Sequence, residues 1–325
     1  MRGQHGFYCA CLKPLPTSEI AAGHQPVEAG EAALSEFHAC CTDKKAARMN
    51  VHNKTVEGFG FEWTHFDQST LCEEELRSIF EAYFRIFPWD ELCPGAVGFD
   101  LGCGSGRWAK LVAPKVARLH CIDASPRALD AARRNLQQEA NCIFHQASVD
   151  QMPIEDASMD FGYSLGVLHH VPDTTAAIRT CVTKLKPGAP FLLYLYYAFV
   201  NRPFWFRAIW RLTDAARRVV SRLPYKMKCL FSEAMAACVY FPLAKVSRIA
   251  ERLGIPVASL PLSAYRNRSY YTMRTDAFDR FATQLEKRFN AAQIQSMMIE
   301  AGLERIRFNH LECYWCALGY RQTSA

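Results

Sequence analysis

From residue 69 onward the apolar positions alternate between helical stripes and short strand-like runs. A stripe over residues 71–87 predicts a helix, and the Pro-Gly pair at 94 and 95 separates it from an apolar strand at 96–101. Strand and helix then take turns. A strand at 118–122 leads to a helix opened by Ser125 as cap and Pro126 at its first position, with Leu129, Ala132 and Leu136 on one face. Strands follow at 142–145 and 160–166, then a helix at 173–185 stopped by Pro187 and Gly188, then a strand at 191–197. Such alternation predicts an α/β fold, a parallel sheet with helices on both faces. Beyond Phe199 it lapses into helix-like basic and aromatic segments. Asn290 then caps a helix bearing Ile294, Met297, Met298 and Ala301, and strand-like stretches at 303–308 and 314–320 close the chain.

The expected organisation is a sheet core over 96–199 and 290–325, an N-terminal arm and helix over 49–95, and a helical insertion over 200–289. Residues 1–48 lack a sustained period and carry five basic against five acidic side chains, which predicts a disordered tail. The abrupt aromatic enrichment after Met49 makes that residue a candidate translation start.

Half of the 325 residues are hydrophobic, enough for a full core. The longest apolar stretches, 191–212 and 229–246, are interrupted by Arg202, Pro203, Arg207, Glu233 and Pro242, so no transmembrane helix is expected. The first residues lack a secretory leader's apolar segment, which points to the cytoplasm and to reduced thiols for the fourteen cysteines. Cys121 and Cys142 sit in apolar runs as small core residues. Cys313 and Cys316 lie three apart in a strand-like segment, where they face opposite ways and do not form a redox pair. Cys9, Cys11, Cys40 and Cys41 lack zinc spacing, and no metal site is expected.

The chemistry gathers where the first core strand ends, in Gly98-Phe-Asp-Leu-Gly-Cys-Gly-Ser-Gly106. Glycines there let the backbone turn sharply and approach a ligand closely, ahead of a helix expected near Arg107. They fall at 102, 104 and 106, not in the G-x-G-x-x-G spacing of nicotinamide and flavin sites. Asp123 ends the next strand, where a carboxylate can accept bonds from both hydroxyls of a ribose. Adenosine is the implied common part.

Together DLGCGSG, CIDAS, ASVDQMP and DFGYSLGVLHHVPD resemble the successive motifs of class I S-adenosylmethionine-dependent methyltransferases, over residues 96–198 with a weaker return at 300–304. The resemblance implies a Rossmann-like, seven-stranded, mostly parallel sheet with the helical insertion between strands five and six, and S-adenosylmethionine as cofactor. It implies that Asp100, Gly102, Cys103, Gly104 and Gly106 line the methionine moiety. Asp123 and Ala124 would sit at the ribose, and Ser148 and Val149 would flank the adenine, with Ser148 in place of an aspartate common in relatives. Leu165, Gly166, His169 and His170 would face the transferable methyl, and either histidine is a candidate base. In relatives these histidines often only pack near the cofactor, and methyl transfer can rest on alignment alone. The phrase from Gly58 to Phe66 resembles the aromatic lead-in that folds over the cofactor, with Trp63 and Phe66 available to cover the sulfonium.

Seventeen Lys or Arg against six Asp or Glu lie between Val200 and Asn290, while the whole chain carries a net charge of +6. A basic, aromatic insertion suits an anionic or aromatic small-molecule acceptor, or peripheral contact with an anionic membrane. Tyr197, Arg266, Arg268, Tyr271 and Arg274 are the acceptor-contact candidates. Quinone, sterol, polyketide and sugar-derived acceptors all accord with the resemblance. Nucleic acid is the competing partner, disfavoured because the position after strand four reads SLGV, unlike the pattern of base-amine methyltransferases. A cofactor-binding protein without transfer activity is the alternative of another class.

Overall fold

A computed structural model describes residues 50–200, 202–257, 260–310 and 316–323. The expectations for residues 1–48, Met49, Cys9, Cys11, Cys40, Cys41 and Cys313 lie outside the described residues.

Seven strands form one sheet: β1 (Val97–Leu101), β2 (Arg118–Asp123), β3 (Cys142–Gln146), β4 (Phe161–Leu165), β5 (Pro190–Tyr194), β6 (Leu303–Phe308) and β7 (Cys316–Arg321). Their order is β3-β2-β1-β4-β5-β7-β6. All neighbours are parallel except β7, which runs antiparallel to both β5 and β6. The central strands are buried almost throughout, as a sheet covered on both faces requires, whereas β6 at the edge buries Leu303 and then alternates exposed Arg305 and Arg307 with half-buried Ile306 and Phe308. Strand order reverses between β1 and β4, and in open α/β sheets ligands bind outside the carboxyl ends of the strands at that point.

The helices of the core are α1 (Asn53–His65), α2 (Glu73–Phe84), the single turn α3 (Ala109–Val112), α4 (Pro126–Asn135) and α5 (Thr174–Lys184). Ser125 caps α4 and Asp173 caps α5 by accepting from backbone N–H groups three residues on. One side of the sheet packs Leu76, Phe80, Phe84, Trp108 and Leu129, and the other packs Leu168, Ile178, Ile294 and Met298.

Between β5 and β6 lie α6 (Phe204–Val220), α7 (Tyr225–Met235), α8 (Phe241–Arg252), α9 (Tyr270–Ala282) and α10 (Ala291–Glu300). A π-helical turn, Ala236–Tyr240, joins α7 to α8, so 225–252 is one continuous helix of 28 residues. By length and composition alone it could cross a membrane, which corrects the expectation that Glu233 and Pro242 divide this stretch. Glu233 accepts a hydrogen bond from Tyr270 Oη at 2.6 Å. Pro242 follows the widened turn, which relaxes the crowding a proline imposes on the carbonyl four residues earlier. The inner face of 225–252 packs Ala236, Tyr240 and Ala244 against Met273, Ala277 and Phe281 of α9.

Several boundaries shift. The helix expected at 71–87 occupies Glu73–Phe84, and the one expected at Arg107 is the short α3 followed by a 3-10 turn. The strand expected to reach Tyr197 ends at Tyr194, although Tyr197 still bridges Phe289.

Candidate active site

At the carboxyl ends of β1 and β4 the chain walls a cavity. Its floor is the loop Gly102 to Ser105, and its sides include Asp123, Ala124, Ser148, Val149, Leu165, Gly166 and His170. Gly102 and Gly104 take φ of +77° and +55°, where a side chain is strained. A Cβ on Gly104 would also stand 2.9 Å from the Trp63 ring. The loop is therefore held open by glycine and roofed by tryptophan. Its Gly104 N–H donates to Asp123 Oδ2 (3.0 Å), and Ser125 N–H donates to Oδ1 (2.8 Å). Each Asp123 oxygen keeps lone-pair capacity for a ligand hydroxyl.

The N-terminal arm supplies the opposite wall through His52, Val56, Phe59, Glu62 and Trp63. Asn50 anchors it: its backbone N–H donates to Asp150, its Nδ2 donates to the Asp173 carbonyl (2.5 Å), and its Oδ1 accepts from Asp173 N–H (2.6 Å).

The two histidines separate clearly. His169 is fully buried beside the Tyr196 ring (3.9 Å between centroids) and is not part of the cavity wall. His170 is on the wall. Its Nδ1 lies 2.6 Å from the Leu285 carbonyl, which can only accept, so Nδ1 carries the hydrogen and Nε2 keeps a lone pair. Nε2 is buried and has no hydrogen-bond partner among the described residues. Burial lowers the pKa of both rings, His169 more strongly, although Asp279 and the Leu285 carbonyl pull His170 back upward. Both are neutral near pH 7.

Among the other cofactor candidates, Gly102, Cys103, Gly104, Trp63 and Leu165 stand on the wall, while Phe66, Asp100 and Gly106 do not. Phe66 packs on Phe278 at 5.6 Å between ring centroids, with the Arg274 guanidinium 5.0 Å from its own ring. Asp100 is buried below the loop, which pushes its carboxyl up to about 8. Gly106 sits against Leu136 and the backbone of α4.

None of Tyr197, Arg266, Arg268, Tyr271 and Arg274 is on the cavity wall. Tyr197 packs on Phe199, Arg266 pairs with Glu251, Arg268 reaches Ser78, and Tyr271 accepts from Gln68 N–H. The insertion instead contributes Thr275, Asp276 and Asp279 of α9, and the segment after β5 contributes Tyr196, whose hydroxyl donates to Asp279. Tyr194 and Tyr196, two apart along the chain as residues of one strand face are, both reach the wall. Glu62 joins this acidic corner. Burial, then Asp279 and Asp276, hold its carboxyl well above the usual range, and burial pushes Asp276 up to about 6. Arg107 supplies a positive charge beside them. Glu62, Asp276 and Asp279 carried no motif that spacing could reveal. The basic surplus of the insertion faces elsewhere, since none of its Lys or Arg residues lines the cavity.

These walls fit S-adenosylmethionine. Asp123 is available to the ribose, Ser148 has a buried hydroxyl without a partner among the described residues beside Val149, where an adenine edge would lie, and the glycine loop leaves room for the methionine chain.

The profile of the family described as "Methyltransferase domain" matches residues 99–193. The ubiquinone biosynthesis O-methyltransferase of Methylocella silvestris is 30% identical over 134 residues, covering 39% of this chain and 51% of that one. Its counterpart in Xanthomonas campestris pv. campestris (strain B100) is 29% identical over 185 residues, covering 56% and 73%. The chain thus spans about half the length of the first relative. Among solved structures, the N-methyltransferase NodS of Bradyrhizobium japonicum, in complex with S-adenosyl-L-homocysteine, aligns with 20% identity and a TM-score of 0.36 over 43% of this chain and 72% of that one. Residues 99–193 thus match a methyltransferase domain, and the ordered motifs, mostly parallel sheet and glycine-floored cavity around them are similar to those of class I S-adenosylmethionine-dependent methyltransferases.

Proposed function

We propose that this chain transfers the methyl group of S-adenosylmethionine to a small-molecule acceptor held between the glycine loop and α9, with His170 as base. The observation that carries this reading is His170, a residue of the cavity wall whose buried Nε2 has no hydrogen-bond partner among the described residues and whose tautomer is fixed by the Leu285 carbonyl. The cofactor would supply an electrophilic methyl on its sulfonium. Around it the protein would supply alignment, worth roughly 7 to 11 kcal/mol in favourable cases. His170 would receive the acceptor's proton, and its neutrality near pH 7 leaves it able to do so.

The acceptor side is aromatic and acidic. Tyr194 and Tyr196 offer ring faces, Asp276 and Asp279 can accept hydrogen bonds, and Glu62 stands beside them as a buried carboxyl group. This favours a neutral hydroxylated aromatic or a cationic acceptor over an anionic one. The names of the curated relatives support the hydroxylated class. The test is release of S-adenosylhomocysteine from purified full-length protein incubated with S-adenosylmethionine and catechols, phenols, amines and carboxylated aromatics. Turnover confined to carboxylated aromatics, and unchanged in Asp279→Asn, would contradict the acceptor assignment.

A further inference from the structure

Among the described residues, seventeen large apolar side chains are exposed, and fifteen of them lie between Val200 and Leu260. That stretch also exposes eight Lys or Arg side chains, from Arg207 to Arg252, against one exposed acid, Glu251. On α6 the two kinds of residue form adjacent stripes. Phe204, Leu212 and Val219 share one face, Arg207, Arg211 and Arg218 run beside it, and Asp214 and Arg217 point inward. The continuous helix 225–252 has the same character, with Leu230, Val246 and Ile249 exposed.

We propose that this outer face of the insertion docks on an anionic lipid surface. Helices that lie in a membrane interface combine an apolar stripe with flanking cations, binding through buried apolar area and attraction to anionic headgroups together. Other occupants match only half of the face. A second copy presenting the same face would bring basic stripes against each other. Nucleic acid would meet the arginines with its phosphates but leave Phe204, Leu212 and Val246 without apolar partners. Docking is also connected to the cavity. Helix α9 packs Met273, Ala277 and Phe281 against the insertion and turns Thr275, Asp276 and Asp279 to the cavity wall.

The test is co-sedimentation of the full chain with vesicles of phosphatidylcholine alone and of phosphatidylcholine containing phosphatidylglycerol. Two double variants are compared, Phe204→Ser with Leu212→Ser, and Arg207→Glu with Arg211→Glu. Phe204 and Leu212 are 78% and 73% exposed, so these changes leave the core intact; the thermal midpoint and S-adenosylmethionine binding check that they do. Binding is expected to mixed vesicles only, to weaken with salt, and to fall about tenfold or more in each variant. No binding to mixed vesicles, or binding that both variants retain, overturns the proposal. It is also overturned by light scattering that finds a dimer separated by Phe204→Ser with Leu212→Ser, or by retention of duplex DNA in place of vesicles.

Discussion

The sheet core and the insertion use the same kinds of side chain for opposite purposes. Between β1 and β5 the described core exposes one large apolar side chain, Ile143, whereas the insertion exposes fifteen while keeping a modest core of Val220, Ala236, Tyr240, Ala244, Met273, Ala277 and Phe281. Charge is inverted too. The core's Asp123 faces the cavity, while the insertion buries a network in which Arg217 bonds Asp214 (2.9 Å) and the carbonyls of Thr283 (2.9 Å) and Gln284 (3.1 Å). The lesson is that the core is organised around a ligand and the insertion around a surface, with α9 belonging to both.

The contrast can be broken at its strongest point by removing the base. His170→Ala should lower kcat by ~10²- to 10⁴-fold while leaving S-adenosylmethionine affinity within a few fold, as measured by steady-state kinetics and titration. In the wild type the active form is the neutral imidazole. Because burial lowers its pKa, kcat should be flat near pH 7 and decline only as pH falls below the ordinary histidine value of 6.5. Burying both histidines neutral also ties folding to pH. Their contribution to stability is complete above about pH 6.5 and is lost as pH falls through their lowered pKa values, so the profile needs a parallel folding probe.

Next in size, Arg217→Ala should destabilise the protein by ~3–5 kcal/mol in denaturant unfolding, since it leaves buried Asp214 short of a partner. If exposed Arg218, which also bonds Asp214, compensates fully, the network is peripheral and the view of the insertion as a self-supporting unit weakens. Gly104→Val should weaken cofactor binding by about 100-fold, because the left-handed backbone and the Trp63 ring both resist a side chain. The smallest effect belongs to the exposed Arg77–Glu73 pair on α2. Arg77→Ala should change stability by less than ~0.5 kcal/mol and leave cofactor affinity alone.

How much of this was legible in the sequence follows the same division. β1 to β5 and the caps Ser125 and Asn290 follow from local rules, because each depends on residues within one turn or one strand. The cavity floor was legible for a related reason, since a left-handed loop between strand and helix demands glycine where it stands. Glu62, Asp276 and Asp279 were not legible. They meet only because α1 and α9, more than two hundred residues apart, close over the same strand ends. The arginines offered as acceptor contacts show the converse error. A local charge surplus gives no direction, and Arg266 and Arg274 are taken up by Glu251 and by the Phe66 and Tyr271 rings. Pro242 misled for a local reason, because the π-helical turn before it keeps the helix continuous.

The most direct measurement is calorimetric titration of the purified full chain with S-adenosylmethionine and S-adenosylhomocysteine, wild type against Asp123→Ala. Binding by the wild type, weakened by ~1.5 to 3 kcal/mol when the carboxylate is removed, is the predicted result. Folded wild-type protein that binds neither ligand, or Asp123→Ala protein that binds both as tightly as wild type, would contradict the assignment of the cavity.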